Sequence, residues 1–445
     1  MCFRSEWCVY CAIGMNYLAT FVRVLVTASA SPFFKVMAHV PRVHLYRHAG
    51  FPLQENPGVP VLAPYGFNMG GGSDIMHLLH SRLASLPQAP PDAAEIFFAF
   101  LQPYRPPFHA WTEADHARIR GMGPEREDYM PNSFRLTLIT MCEQIRNGTF
   151  IRALMPHLKR STLRRHALIT PFEPGACWNE QRFQSPGGFL SKPVPMWVSR
   201  TIFEMTFDNF AAKEDLHGRP QRRVEMPYIS SVRWDPKWEA SGHVPPWKAP
   251  ADAPPRRSLL ACFTGTLRGR PESIRMRTIL VEQCNGAASK TVCHTLLDGN
   301  FPIAPPSETA ADDHQTVVLR KALKLKRRST FCLEPPGFSP PRKSIVDSIL
   351  SGCIPVLFYP KADYAVYMPW FYGGWGANAS VRLDQSELLS GRLDVMKILA
   401  AVPMQEVRRM QAALAANAHK LVYGLGASGV PGDAVETLLR LIAAR

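Results

Sequence analysis

The stretch Phe331 to Tyr359, FCLEPPGFSPPRKSIVDSILSGCIPVLFY, passes through three backbone regimes. Ser329 to Leu333 is short and rich in β-branched and aromatic side chains, as strands are. Glu334 to Pro341 packs four prolines and Gly337 into one loop. Ile345, Ile349 and Leu350 then recur at helical spacing, Gly352 marks the helix end, and Ile354 to Tyr359 reads as a buried strand. Strand, loop, helix and strand in this order predict a parallel α/β sheet. In such a sheet the loop lies at the carboxyl end of its strand, where helix amides and the helix dipole favour a phosphate. Arg342 and Lys343 add positive charge there. An ordinary crossover loop has the same pattern, so the residues alone leave both readings open.

Outward from this stretch, composition sets the bounds. A chain of 445 residues with 46% hydrophobic side chains has room for two domains with separate cores. The net charge of +15 suggests an anionic partner, and it is spread over the chain except for one block. That block, Arg320, Lys321, Lys324, Lys326, Arg327 and Arg328, is interleaved with Leu319, Leu323 and Leu325 and reads mainly as the solvated face of a helix. No finger, RNA-binding or helix-turn-helix signature accompanies it, so no nucleic-acid partner is expected. The ten cysteines include a single CxxC pair, Cys8 and Cys11, with no second pair and no finger spacing to histidine, which argues against a structural zinc site. Cys284 and Cys293 are close enough in sequence to bridge in an oxidising compartment, whereas Cys262, Cys332 and Cys353 read as small core residues in apolar strands.

Along the chain, Trp7 to Ala30 is mostly apolar and makes residues 1–38 a candidate signal anchor, with a cleaved signal or transit segment as the competing readings. Val43 to Tyr46 predicts a first strand. Ser73 and Asp74 then open a helix whose one face is Ile75, Leu78, Leu79, Arg82, Leu83 and Leu86, mostly apolar, with Asp74 suited to cap it. Ile96 to Leu101, the segment ending at Ile169, and Ser199 to Phe207 predict further strands. Trp234 to Arg257 is proline-rich and is read as a linker between an amino-terminal domain over 39–233 and a carboxyl-terminal domain over 258–445. Leu259 to Gly265 resumes as a strand, and Thr266 to Pro271 form a loop carrying Arg268 and Arg270. Val407 to Tyr423 and Ala434 to Ile442 have helical spacing and are expected to pack across the domains.

Several of these segments together resemble one family. Phe331 to Leu333, Pro336, Gly337, Ser339, Arg342, Lys343, Ser344, Asp347, Ser348 and the run Gly352 to Val356 are similar to the carboxyl-terminal signature of exostosin glycosyltransferases, most of all to the plant xyloglucan galactosyltransferase branch. The loop from Gly265 to Pro271 resembles the same family's glycine-arginine-proline loop, and Pro91 to Ala94 its acidic turn. His166 resembles a family strand entry, but Arg164 and Arg165 stand where an Arg-Asp pair is expected.

The resemblance implies a GT-B fold of two Rossmann-like domains facing a cleft, a UDP-sugar donor, a glycan acceptor and a Golgi membrane location with a lumenal catalytic domain. It also implies an inverting transfer with no permanently bound cofactor. No Asp-x-Asp occurs in the chain, which favours cationic side chains over a divalent metal at the diphosphate. Arg268, Arg270, Glu334, Gly337, Ser339, Arg342, Lys343 and Asp347 are the candidate donor-binding residues. Asp347 suits ribose hydroxyls, or equally an ion pair with Lys343 at i to i+4. Asp74 and His166 are the candidate bases, with a helix cap and a satisfied core histidine as their alternative roles. The alternative to an enzyme is a catalytically silent glycan-binding protein of the same fold, motivated by the missing aspartate before His166.

Overall fold

A computed structural model describes residues 40–46, 72–100, 112–114, 117, 148–159, 161–169, 202–206, 223–232, 234–248, 257–267, 271–286, 292–297, 314–337, 342–358, 368, 371, 374–424 and 429–443. Contacts gather Arg42–Leu438 into one compact unit and Met1–Pro41 with Leu439–Arg445 into another. The first of these holds both sheets. The candidate anchor lies outside the described residues, and no helix among those described is long and apolar enough to cross a membrane.

The described strands form two five-stranded sheets in which every pairing is parallel. The first takes β1 (Val43–Leu45), β2 (Ile96–Phe100), β3 (His166–Ile169), β4 (Ile202–Thr206) and β5 (Arg223–Glu225) in sequence order. The second contains β6 (Leu259–Gly265), β7 (Cys293–Leu297), β8 (Ser329–Glu334), β9 (Ile354–Leu357) and β10 (Val381–Arg382), in the order β10-β9-β8-β6-β7. Strands such as IFFAF and IPVL are buried at every position, as central strands covered on both faces must be. The architecture is the expected α/β pair of Rossmann-like sheets.

The helices follow from the same patterns. Helix α1 (Gly72–Ser85) buries Leu79 and Leu83 on one face, together with Arg82. It begins at Gly72, so Asp74 lies inside its first turn and not at the cap position expected for it. Within the expected linker, α2 (Pro236–Ala240) is capped by Asp235, and Trp234 and Trp247 pack edge to face, both buried. Helix α3 (Pro271–Asn285) buries Ser273, Met276, Arg277, Leu280 and Cys284, a stripe at helical spacing. Helix α4 (His314–Arg328) exposes Arg320, Lys321, Lys324 and Arg328, which matches the solvated face read from the sequence, but Lys326 is buried.

Helix α5 (Lys343–Leu350) has its last six residues buried. It ends as the sequence predicts: Gly352 at φ +67° lets its own N–H bond Ile349 O and the Cys353 N–H bond Ser348 O, closing the orphan carbonyls of the last turn. Helices α6 (Met404–Asn417) and α7 (Ala434–Ala443) complete the chain. The segment between them returns to the first sheet's side, where Tyr423 Oη donates to Pro227 O at 2.6 Å. Arg82 pairs with Asp433 at 2.8 Å, both side chains being buried.

Two disulfides are present among the described residues. Cys284 and Cys293 bridge the end of α3 to the start of β7, as their spacing suggested. Cys332 and Cys353 are also bonded, which corrects their reading as simple core residues: the parallel sheet lays the residue before β9 beside β8, a juxtaposition with no trace in local sequence. Cys262 keeps a free thiol 3.6 Å from Cys332 Sγ, and burial pushes its pKa up to about 11.

Candidate functional site

The order of the second sheet places a topological switch point between β6 and β8. The chain leaves β6 for β7 on one side and then crosses to β8 on the other, so the connections diverge, and open α/β sheets take ligands at the carboxyl ends of strands at such a point. Phe263 is in register with Leu333, so the two strands end level. From these ends run the two loops singled out in the sequence, Thr266 onward and Pro335 onward.

Three side chains hold the second loop. Arg277 donates from one nitrogen to Thr266 O at 2.9 Å and from the other to Pro336 O at 3.0 Å, so it spans the switch point. Ser273, one turn earlier on the same face of α3, donates to Gly337 O at 3.1 Å. Arg342, the residue before α5, donates to Pro335 O. Burial, with the neighbouring charge of Arg342 adding to it, lowers the Arg277 pKa to about 10, still far above neutrality. Two guanidinium groups therefore lie beside Gly337, Arg342 Nε and Arg277 each within 4 Å of where a β-carbon there would stand.

Below this loop is a buried polar cluster. Lys326 Nζ donates to Glu334 Oε1 at 2.7 Å, to Ser348 Oγ at 2.7 Å and to Ser344 Oγ at 3.0 Å. The same Glu334 oxygen accepts from Ser348 Oγ at 2.6 Å and Ser344 Oγ at 3.0 Å. Glu334 is 1% exposed and ties β8 to α4 and α5. Asp347 is likewise engaged. Its Oδ2 accepts from Lys343 Nζ at 2.7 Å, and its Oδ1 from Ser230 Oγ at 2.6 Å and the Ser231 N–H at 2.7 Å. Lys343 also donates to Ser231 Oγ. The i to i+4 pairing weighed in the sequence is present, and the same carboxylate clamps the strap after β5 to α5.

His166 opens β3 at its amino end, level with Phe97. Its ring stacks on Phe97 with centroids 4.6 Å apart and is fully buried. Thr162 O lies 2.8 Å from Nδ1 and can only accept, so Nδ1 carries the proton and Nε2 accepts from Tyr46 Oη at 2.8 Å. Burial, reinforced by Arg165, His157 and His44, lowers its pKa to about 4. It is thus a satisfied histidine at the amino end of its strand, whereas ligands meet parallel sheets at the opposite, carboxyl end. Asp74 lies on α1, but its side chain is outside the description. Arg268, Arg270 and Ser339 lie outside the described residues too.

Sequence reasoning missed Arg277, Ser230 and Lys326. Lys326 was detectable, because it continues the Leu319, Leu323 face at i+3 and so falls on the buried side of α4. Arg277 shares helical spacing with Ser273 in the same way. Nothing local marks Ser230.

A model of the exostosin GT47 domain matches residues 148–401, more than half of the chain. Among curated proteins, xyloglucan-specific galacturonosyltransferase 1 of Arabidopsis thaliana is 34% identical over 180 residues, 40% of this chain and 24% of that protein. The Arabidopsis thaliana protein called probable xyloglucan galactosyltransferase GT15 is 34% identical over 169 residues, 38% of this chain and 32% of that protein. The chain thus spans about a quarter to a third of the length of these relatives. Among solved structures, the calicheamicin glycosyltransferase CalG4 aligns with a TM-score of 0.32 and 13% identity over 78% of this chain and 92% of that one.

Proposed function

This chain belongs to the exostosin GT47 family of glycosyltransferases, and on that premise we propose that it transfers a sugar from a UDP-sugar to a glycan acceptor with inversion at the anomeric carbon. The observation that carries the reading is the convergence of the Thr266 and Pro336 loops at the switch point of the second sheet, with Arg277 between them and Arg342 alongside. A departing diphosphate develops negative charge there, and preorganised cationic donors stabilise such charge by about 3 kcal/mol each. Arg342, Lys343 and the first amides of α5 are the described groups for this role, with Arg268 and Arg270 completing it. The chain has no Asp-x-Asp, which supports charge neutralisation by side chains without a divalent metal.

With His166 in the core, Asp74 is the base we assign, deprotonating the acceptor hydroxyl as it attacks the anomeric carbon and the UDP leaves. The names of the relatives make a xyloglucan-type glycan the first acceptor to try. The two disulfides support a lumenal, oxidising compartment, in keeping with a Golgi location and an amino-terminal anchor in residues 1–38.

A panel of UDP-sugars offered with xyloglucan oligosaccharides, followed by linkage analysis of the product, tests the reading. Transfer from one donor with inverted configuration is the expected result. Oligosaccharide binding without turnover of any donor would replace the enzyme by the catalytically silent glycan-binding protein of the same fold.

A further inference from the structure

We propose that Arg277 is the positioning residue of the donor site, a single guanidinium that holds the loops after β6 and β8 at a fixed separation so that both reach one diphosphate. The proposal rests on the UDP-sugar reading above and adds a residue to it that the family resemblance did not supply.

Arg277 is 5% exposed, so it acts through the groups it holds and not as an open ligand surface. Its two terminal nitrogens donate to Thr266 O and Pro336 O, carbonyls that belong to different loops and lie 70 residues apart in sequence (336 − 266). A planar fork with several donors is the side chain suited to this; an ammonium group on a flexible stem cannot hold two carbonyls in a fixed relation. The grip extends along the loop. Pro335 O accepts from Arg342, Pro336 O from Arg277 and Gly337 O from Ser273, so three successive carbonyls are engaged by a cation or a hydroxyl. Each of these oxygens is a negative dipole end that would otherwise repel a phosphate. Pro335 and Pro336 have no N–H, so this part of the loop has no backbone donors with which to hold itself. The anchoring has to come from side chains, and Arg277 is the one that also reaches the other loop.

The test uses the full chain and its Arg277→Ala and Arg277→Lys variants, with two readouts. Hydrogen–deuterium exchange without ligand reports on the tie itself. Amides over 266–270 and at Gly337, Phe338, Ser339 and Arg342 are expected to exchange about tenfold faster in both variants, in both loops together, while α6 is unchanged. Calorimetry with UDP reports on the consequence. Affinity is expected to fall about tenfold in both variants, and millimolar guanidinium is expected to restore it in Arg277→Ala but not in Arg277→Lys, where the lysine fills the space. Arg277→Lys keeps the buried charge and the aliphatic stem, so it covers the case in which Arg277→Ala does not fold. Loosening of one loop only, or of neither, overturns the tie whatever happens to UDP. Loosening of both loops with wild-type UDP affinity overturns the positioning role and leaves the donor site standing. A wild-type chain that binds no UDP overturns the donor reading itself, and the proposal with it.

Discussion

Asp347 and Ser230 are 117 residues apart in sequence, yet the serine hydroxyl donates to the carboxylate at 2.6 Å with both groups buried. Because the same carboxylate also takes the Ser231 N–H and the Lys343 ammonium, the donor-side helix α5 is fixed to the strap that leaves the first sheet. The family signature thus holds the fold together through this carboxylate.

Replacing this carboxylate should affect assembly before donor binding. Asp347→Ala is expected to lose about 2–4 kcal/mol of stability, from a buried charge-assisted cluster. Urea denaturation measures this, and UDP affinity per folded molecule should stay within about threefold of wild type, a difference below 1 kcal/mol. A much larger loss of UDP binding at unchanged stability would restore the ribose role to Asp347.

Lys326 and Glu334 form an ion pair with side chains 3% and 1% exposed. Removing one partner strands a buried charge, so Lys326→Met or Glu334→Gln alone should destabilise by about 3–5 kcal/mol. The double variant should lose far less than the sum, because no charge is left unpaired. A double-mutant cycle in urea that came out additive would dissolve the pair as an energetic unit.

His166 should give the fold a pH dependence in a defined window. Its folded pKa of about 4 lies below the ordinary value of 6.5, so the unfolded chain takes up the proton first. The stability from this residue is complete above pH 6.5 and declines as pH falls toward 4, by a total of about 3 kcal/mol. Denaturant midpoints collected across that range should slope for the wild type and flatten for His166→Gln. The same variant should keep a wild-type pH profile for sugar transfer; a changed profile would return the base role to His166.

The three sulfurs predict a rearrangement. Cys353→Ala removes the bridge to Cys332, whose loop-closure contribution is about 3 kcal/mol. It also leaves Cys332 beside Cys262, its register partner on the neighbouring strand, with Sγ atoms 3.6 Å apart in the parent structure. Peptide mapping under non-reducing conditions should find a Cys262–Cys332 disulfide in this variant. Two free thiols there would show that the buried pair cannot be oxidised.

What the sequence determined by itself was everything with a local period or a local stereochemical demand. Alternating and continuous apolar runs gave the strands, the Gly352 stop and the helical spacing of Ile345, Ile349 and Leu350 gave α5, and the loop from Glu334 to Pro341 carried the family resemblance. These signals are legible because neighbouring residues produce them. The tertiary structure alone decided which polar groups are buried and which partners hold them. Glu334, Asp347 and His166 have the chemistry of site residues, but burial and their partners Lys326, Ser230 and Tyr46 turn them into internal braces. Arg277 shows no such chemistry in its sequence context, yet it sits at the switch point because β6 and β8 are neighbours while the chain between them passes through β7. A side chain's partners are set by strand order and helix packing, which bring together groups as distant as Arg82 and Asp433, 351 residues apart, and leave no mark on the residues adjacent in the chain.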